Sequence, residues 1–246
     1  MKPCLLIPIY DHKDPIGGVV ASLAGHGLRC FIVDDGSDEA TQEVLRALEA
    51  ANSWVRIYRR KHNGGRGAAL KTGYRLAAQS GFSHAIQLDA DGQHDAADVP
   101  RFLEEIERDP SALVLGAPAF DASAPKSRLY GRQLSRAMVW LATLSFDVTD
   151  PLCGFRAIPL AATLELIDST ATGDAMEFDP ELVIQLHRRG VPVRNVPTRV
   201  VYEEGGLSHF DMLADNARLT RVYTKSLATL LTQRPARLAR LARWKS

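Results

Sequence analysis

The 246-residue chain is expected to adopt an α/β fold, a doubly wound, mostly parallel sheet with helices on both faces. Two observations predict it. Short β-branched or aliphatic runs alternate with helical patterns through the first half, at the spacing of strand–helix–strand units. Polar and acidic residues follow several of those runs directly, and open parallel sheets place their ligand crevice just beyond the carboxyl ends of the strands.

Taken in order, CLLIPI (4–9), RCFIVDD (29–35), WVRIYRR (54–60), HAIQLDA (84–90) and ALVLGAP (112–118) read as strands. Between them, residues 14–27, 37–52, 65–81 and 98–110 read as helices. Ser37 or Asp38 is positioned to cap the second of these, with Thr41 and Glu43 in its first turns. The second half is less regular. Residues 127–146 read as a long helix and PLCGFRAIP (151–159) as a turn and short strand. Residues 179–190 read as a helix ended by Gly190, residues 191–204 as strand material broken by prolines, and residues 209–233 as an amphipathic helix. With no repeat and no convincing linker, one domain over residues 1–232 with a basic amphipathic tail over 233–246 is the economical division.

A formal net charge of +1 argues against a nucleic-acid binder. The three cysteines, Cys4, Cys30 and Cys153, are widely spaced and form no Cys-x-x-Cys pair. They fit reduced thiols of a cytoplasmic protein rather than a disulfide framework or a zinc site. The N-terminal apolar run is too short for a signal peptide. The longest nearly apolar run, 137–146, is about half of what a membrane span needs.

The most informative stretch is IQLDADGQHD (86–95). Buried carboxylates repel one another and are costly to desolvate, so Asp89, Asp91 and Asp95 after an apolar strand call for a cation or for water. Gly92 permits a turn that brings Asp89 and Asp91 to one point. Gln93 could add an amide oxygen and His94 an imidazole. Hard cations such as Mg²⁺ or Mn²⁺ take oxygen donors of this kind and keep positions open for substrate phosphates. Tyr10-Asp11 and Asp34-Asp35-Gly36-Ser37 would end two further strands on the same crevice. In HNGGRGAALKTG (62–73) the glycines, Gly65 among them, read as a loop of close approach to a nucleotide, with Lys71 or Arg66 supplying positive charge. As a dinucleotide fingerprint the run fails, because Leu70 stands at the third small position.

These motifs, in order, resemble glycosyltransferase family 2 and its GT-A, Rossmann-like fold, and within it the dolichyl- or polyprenyl-phosphate mannosyltransferase branch. The resemblance runs through LIPIYDH, FIVDDGSDEAT, HNGGRGAALKTG and LDADGQHDAADVP, then more weakly through DPLCGFRAI (150–158) and MEFDPELV (176–183), and so covers nearly the whole chain. It implies a metal-dependent inverting transfer of a sugar from a UDP- or GDP-linked donor to a lipid acceptor, either a polyprenyl phosphate or a hydroxylated lipid. Pro8, Tyr10, Asp34 and Asp35 would line the nucleotide pocket, while Asp89, Asp91 and Gln93 would hold Mg²⁺ or Mn²⁺ against the diphosphate. Asp11 departs from the family's usual Asn.

On the acceptor side, Arg128, Arg132 and Arg136 fall on one helix face, and arginine suits phosphate through bidentate bonds. The resemblance links Arg156 of GFR to the acceptor phosphate. Were the acceptor a hydroxyl, Glu177 or Asp179 would be the candidate base, although Asp179 also suits a helix cap. Ser208-His209 stands where the family often has Ser-Lys, which weakens a phosphate clamp. The tail sets Arg234, Arg237, Arg240, Arg243 and Lys245 beside Leu238, Leu241 and Trp244, the pattern of an interfacial helix. Peripheral attachment at the cytoplasmic face of the plasma membrane is the expectation. The competing readings are a sugar nucleotidyltransferase, disfavoured because no Gly-rich loop follows the first strand, and a non-catalytic nucleotide-sugar-binding module.

Overall fold

The computed structural model describes residues 1–119, 126–200 and 211–243, with the side chains of 126–128 and 231–243 outside the description. The first half alternates as the sequence indicates: β1 (Pro3–Ile9), α1 (Lys13–Leu23), β2 (Cys30–Asp34), α2 (Glu39–Ala51), β3 (Val55–Arg59), α3 (Arg66–Gln79), β4 (His84–Gln87), α4 (Val99–Arg108) and β5 (Leu113–Ala119). The second half adds α5 (Lys126–Thr143), β6 (Arg156–Pro159), α6 (Leu160–Ser169), α7 (Phe178–Arg188), β7 (Val193–Arg199) and α8 (Ala214–Arg243). Asp38 caps α2, its carboxylate accepting from Thr41 N at 2.8 Å, an interaction that stabilises a helix start by about 1 kcal/mol.

The strands form one sheet in the order β3-β2-β1-β4-β6-β5-β7. β3, β2, β1 and β4 are parallel neighbours, whereas β6 runs antiparallel to both β4 and β5. The sheet is therefore mostly parallel with one reversed strand. α6 has no counterpart in the sequence reading, which stopped at Pro159. It buries Leu160, Thr163 and Leu166 against the sheet.

Side chains alternate across β1. Leu6 faces the core cluster that holds Leu70 and Tyr74 of α3, Phe178 and Leu182 of α7, Val139 of α5 and Leu219 of α8. Leu5 and Ile7 face the other way, toward Ile16 of α1, Leu45 of α2 and Phe102 of α4. That period of two is what buries one strand on both faces and makes its sequence read as a continuous apolar run. Among the described residues no helix is long and apolar enough to cross a membrane. α8 continues through position 233, where the sequence reading divided domain from tail. Its last turns carry Arg234, Arg237, Arg240 and Arg243, and residues 244–246, with Trp244 and Lys245, lie outside the described residues.

All three cysteines are free and buried, and burial pushes Cys4 and Cys153 up to about 12 and Cys30 higher still. The thiolate is the reactive form. A thiol-reactive dye is expected to label none of the three in the native protein and all three in denaturant; rapid labelling of the folded chain would contradict this packing.

Candidate active site

Because β1, β2 and β4 are parallel neighbours, their carboxyl ends open on one rim. Tyr10 and Asp11 follow β1, Asp35 follows β2, and Leu88-Asp89 follows β4. Leu88 N still bonds to Leu6 O at 3.0 Å, so the sheet ladder delivers Asp89 to the rim.

Two carboxylates at the β2 end build the loops around the crevice. Asp34 Oδ1 accepts from Ser37 N at 2.8 Å. Asp35 accepts from Gly65 N at 2.8 Å and Gly64 N at 3.2 Å and pairs with Arg60, binding the glycine loop to the strand end. Gly65 has φ +95°, and a Cβ there would lie 2.6 Å from Asp174 O. Glycine is required at that approach both for its backbone and for the space. Asp11 turns its carboxylate onto Asp38 N at 2.8 Å, so its charge is used on the neighbouring turn. Pro8 is buried within β1 and Tyr10 is half-buried just beyond it.

The acidic turn forms as the spacing requires. Gly92 has φ +73°, and Asp91 Oδ1 accepts from Gln93 N at 3.0 Å. Arg66, the first residue of α3, reaches Asp89 Oδ1 at 2.6 Å and Asp179 Oδ2 at 2.7 Å. His94 Nε2 lies 3.4 Å from the other Asp89 oxygen. Burial alone would raise Asp89, but Arg66 and His94 outweigh it and hold the carboxyl well below its usual range. Asp91 is pushed up, by burial first and then by the charge of Asp89. Equivalent in sequence, the two aspartates differ here: Asp89 is locked by protein cations, while Asp91 keeps an oxygen uncommitted among the described residues.

The floor is equally specific. Tyr74 Oη donates to Gln87 Oε1 at 2.6 Å, and Gln87 Nε2 donates to Gly154 O at 3.1 Å. A Cβ on Gly154 would fall 2.0 Å from Asp89 Oδ2. Gly154→Ala is accordingly expected to dislodge Asp89 and lower kcat/KM at least tenfold, with a higher metal requirement; wild-type kinetics in that variant would show that the contact is not needed.

Several sequence-predicted residues are placed elsewhere. Lys71 donates to Thr172 O at 3.0 Å and Asp174 Oδ1 at 2.9 Å, so it fastens α3 to the loop before α7 instead of reaching the crevice. Arg66 supplies the positive charge in its place. Arg156 is fully buried. Its guanidinium donates to Cys153 O at 2.6 Å, Pro151 O at 2.7 Å and Asp179 O at 3.0 Å, enclosed by the fold and with no surface open to an acceptor phosphate. Asp179 is not a helix cap, since α7 begins one residue earlier, and its carboxylate sits between Arg66 and Arg156. Glu177 is buried beneath Gly173, where a Cβ would lie 2.2 Å from its Oε1. Arg132 pairs with the buried Asp150 at 2.5 Å on α5. The side chain of Arg128, and Ser208 and His209, lie outside the described residues. Gly154 is a site residue that sequence reasoning did not select; Arg66 stood there as the alternative to Lys71, and the small-Arg-small pattern at the start of α3 is the signal that could have decided between them.

The family model described as Glycosyl transferase family 2 matches residues 4–160. The chain is 27% identical over 217 residues to a UDP-N-acetylglucosamine–dolichyl-phosphate N-acetylglucosaminyltransferase of Methanococcus voltae, covering 81% of this chain and 86% of that protein. It is 28% identical over 218 residues to the undecaprenyl-phosphate mannosyltransferase of Micrococcus luteus, covering 85% and 87%. Among solved structures, mannosyl-3-phosphoglycerate synthase from Rubrobacter xylanophilus superposes with a TM-score of 0.68 at 15% identity, covering 96% of this chain and 75% of that one. Glucosyl-3-phosphoglycerate synthase from Mycobacterium tuberculosis, in complex with Mn²⁺, UDP and glucosyl-3-phosphoglycerate, gives 0.65 at 18% identity, covering 94% and 79%. With the sheet order, the acidic turn at the β4 end and the family match in agreement, the chain belongs to glycosyltransferase family 2, as a GT-A enzyme that takes a nucleotide sugar.

Proposed function

We propose that the chain moves a hexose, with inversion, from a UDP- or GDP-sugar to a polyprenyl phosphate, working peripherally at the cytoplasmic face of a membrane. The observation that carries this reading is the convergence of Asp34, Asp35, Asp89 and Asp91 on one rim of the sheet beside the Gly64-Gly65 loop. The two curated relatives named above, both acting on polyprenyl phosphates by name, support the acceptor class.

The acidic turn fits a hard divalent cation. Its donors are oxygens, and Asp89 Oδ1, although beside Arg66, makes no aligned hydrogen bond. Among the described residues no three His, Cys, Asp or Glu side chains form a metal cage, and Mg²⁺ and Mn²⁺ at phosphate sites take one or two carboxylates and complete their shell with substrate and water. Asp89, Asp91 and Gln93 would hold the ion. When bound, it would neutralise charge developing on the departing diphosphate. The chain's own residues do the rest. Asp35 holds the glycine loop against the nucleotide side and Arg66 fixes the orientation of Asp89; Arg128, Ser208 and His209 stay assigned to the acceptor from the sequence alone.

The state of the two candidate bases separates the acceptor types. Asp179 is neutralised by two arginines and Glu177 is enclosed, so neither is poised to take a proton from a hydroxyl. A lipid phosphate arrives ionised and needs no base. The test is transfer of labelled sugar from a panel of UDP- and GDP-sugars, with Mg²⁺, Mn²⁺ or EDTA, onto a polyprenyl phosphate and onto the matching polyprenol. Label is expected on the phosphate alone and only with metal. Equal labelling of the polyprenol, or nucleotide release indifferent to lipid phosphate, would overturn the acceptor assignment.

A further inference from the structure

α5 carries a feature that sugar transfer does not use. Tyr130, Leu134, Ala137, Leu141 and Leu144 recur at helical spacing and are all exposed, and Phe146 follows two residues beyond. The large ones among them are between 55% and 80% exposed, on a helix whose opposite side buries Val139 and Ala142 in the core. One apolar stripe is thus spent on the fold and a second is left facing outward. Scattered exposed leucines are ordinary; an aligned row of them marks a binding surface.

The end of the helix is built to hold that row in place. Leu144 has φ +54°, the left-handed position that glycine usually takes at a helix terminus. Ser145 N closes the turn onto Trp140 O at 3.3 Å. The Phe146 ring meets Trp140 edge-on at 4.9 Å, and the Arg136 guanidinium covers Trp140 at 4.9 Å. Trp140 is anchored by its own Nε1 donating to Val148 O at 2.8 Å. A strained leucine and a braced, exposed phenylalanine are poor choices for stability alone.

Charge identifies the occupant. α5 contains Lys126, Arg128, Arg132 and Arg136 and no acidic residue, in a chain whose overall net charge is only +1. Arg132 pairs with Asp150 and Arg136 lies over Trp140 beside the stripe, while the side chains of Lys126 and Arg128 lie outside the described residues. Apolar side chains beside a basic excess match the acyl and headgroup layers of an anionic bilayer. A second copy would bring the same positive charges against themselves.

We propose that this outward stripe of α5 is a membrane seat, with Leu134, Leu141, Leu144 and Phe146 entering the lipid interface. The inference rests on the lipid-acceptor reading and gives it a surface: through Arg132 and Asp150 the helix is joined to the loop that sets Gly154 against Asp89.

The test is flotation of the full chain with phosphatidylcholine vesicles containing phosphatidylglycerol and no polyprenyl phosphate. The wild type is expected to float, less so at high salt. The double variant Leu134→Ser/Leu141→Ser and the single Phe146→Ser, each retaining the basic tail, are expected to partition about tenfold less. Leu144→Gly is expected to float less while its Tm stays level or rises, because glycine relieves the strain; a purely structural role for Leu144 would not separate the two readouts. Undiminished flotation of the double and Phe146 variants would overturn the proposal. So would a wild-type dimer in sedimentation that the double variant dissolves, since the face would then be a contact between copies. Transfer activity in detergent reports on the acceptor reading separately: activity without flotation sinks only the seat, and flotation without transfer to any polyprenyl phosphate sinks only the acceptor.

Discussion

Asp91→Asn is expected to lower kcat/KM by about a thousandfold, roughly 4 kcal/mol of transition-state stabilisation, while leaving the fold as stable as before or slightly more so. The two halves of this prediction come from one environment. Asp91 is the carboxylate of the pair with an uncommitted oxygen, and its carboxyl is raised by burial and by the charge of Asp89. Removing its charge takes away a cation ligand and at the same time relieves repulsion within the folded chain. Steady-state kinetics and a thermal melt on one preparation check both halves. An active variant would reject the ligand role, and a collapsed Tm would show that the carboxylate is structural instead.

Arg66→Met should have its largest effect on stability. The guanidinium is the only described cation bridging Asp89 to Asp179, and each of those carboxylates is largely removed from water. Deleting one partner of a buried ionic network strands the others, which costs about 3–5 kcal/mol and for a chain of this size lowers Tm by roughly 10 °C. Arg66→Lys should be intermediate, because a single ammonium cannot present the two separate donor edges that the fork offers to two carboxylates. A loss below about 1 kcal/mol in Arg66→Met would mean that the network is screened by solvent and does not order the site. Gly67 reinforces the geometry: a Cβ there would lie 2.5 Å from Phe178 Cβ, so α3 and α7 meet closely enough for Arg66 to span both acidic groups.

Much of this was legible in the residues. Strand–helix alternation gave the doubly wound sheet, the Asp38 cap is where the pattern put it, and the Asp-Ala-Asp-Gly spacing foretold a turn that gathers two carboxylates. What escaped depends on partners distant in the chain. The run Arg156–Pro159 has strand character but nothing in it encodes direction, which is set by its pairing with β4 and β5. Arg156 was assigned to the acceptor phosphate through the family resemblance of its GFR run; its enclosure depends on the carbonyls of Pro151, Cys153 and Asp179 folding around it. Lys71 and Arg66 were interchangeable as cations near one loop. The segment 172–174 drew the first away, and Asp179, 113 positions distant, drew the second in.

The central claim is that the acidic turn after β4 holds a divalent cation against a nucleotide diphosphate. Calorimetric titration of UDP and GDP into the wild type and Asp91→Asn, with Mn²⁺ or with EDTA, tests it most directly. The account predicts that one of the two nucleotides binds the wild type only when metal is present, and that Asp91→Asn weakens that binding about a hundredfold or more, near 3 kcal/mol. Equal affinity in EDTA, or an unchanged affinity in the variant, would contradict it.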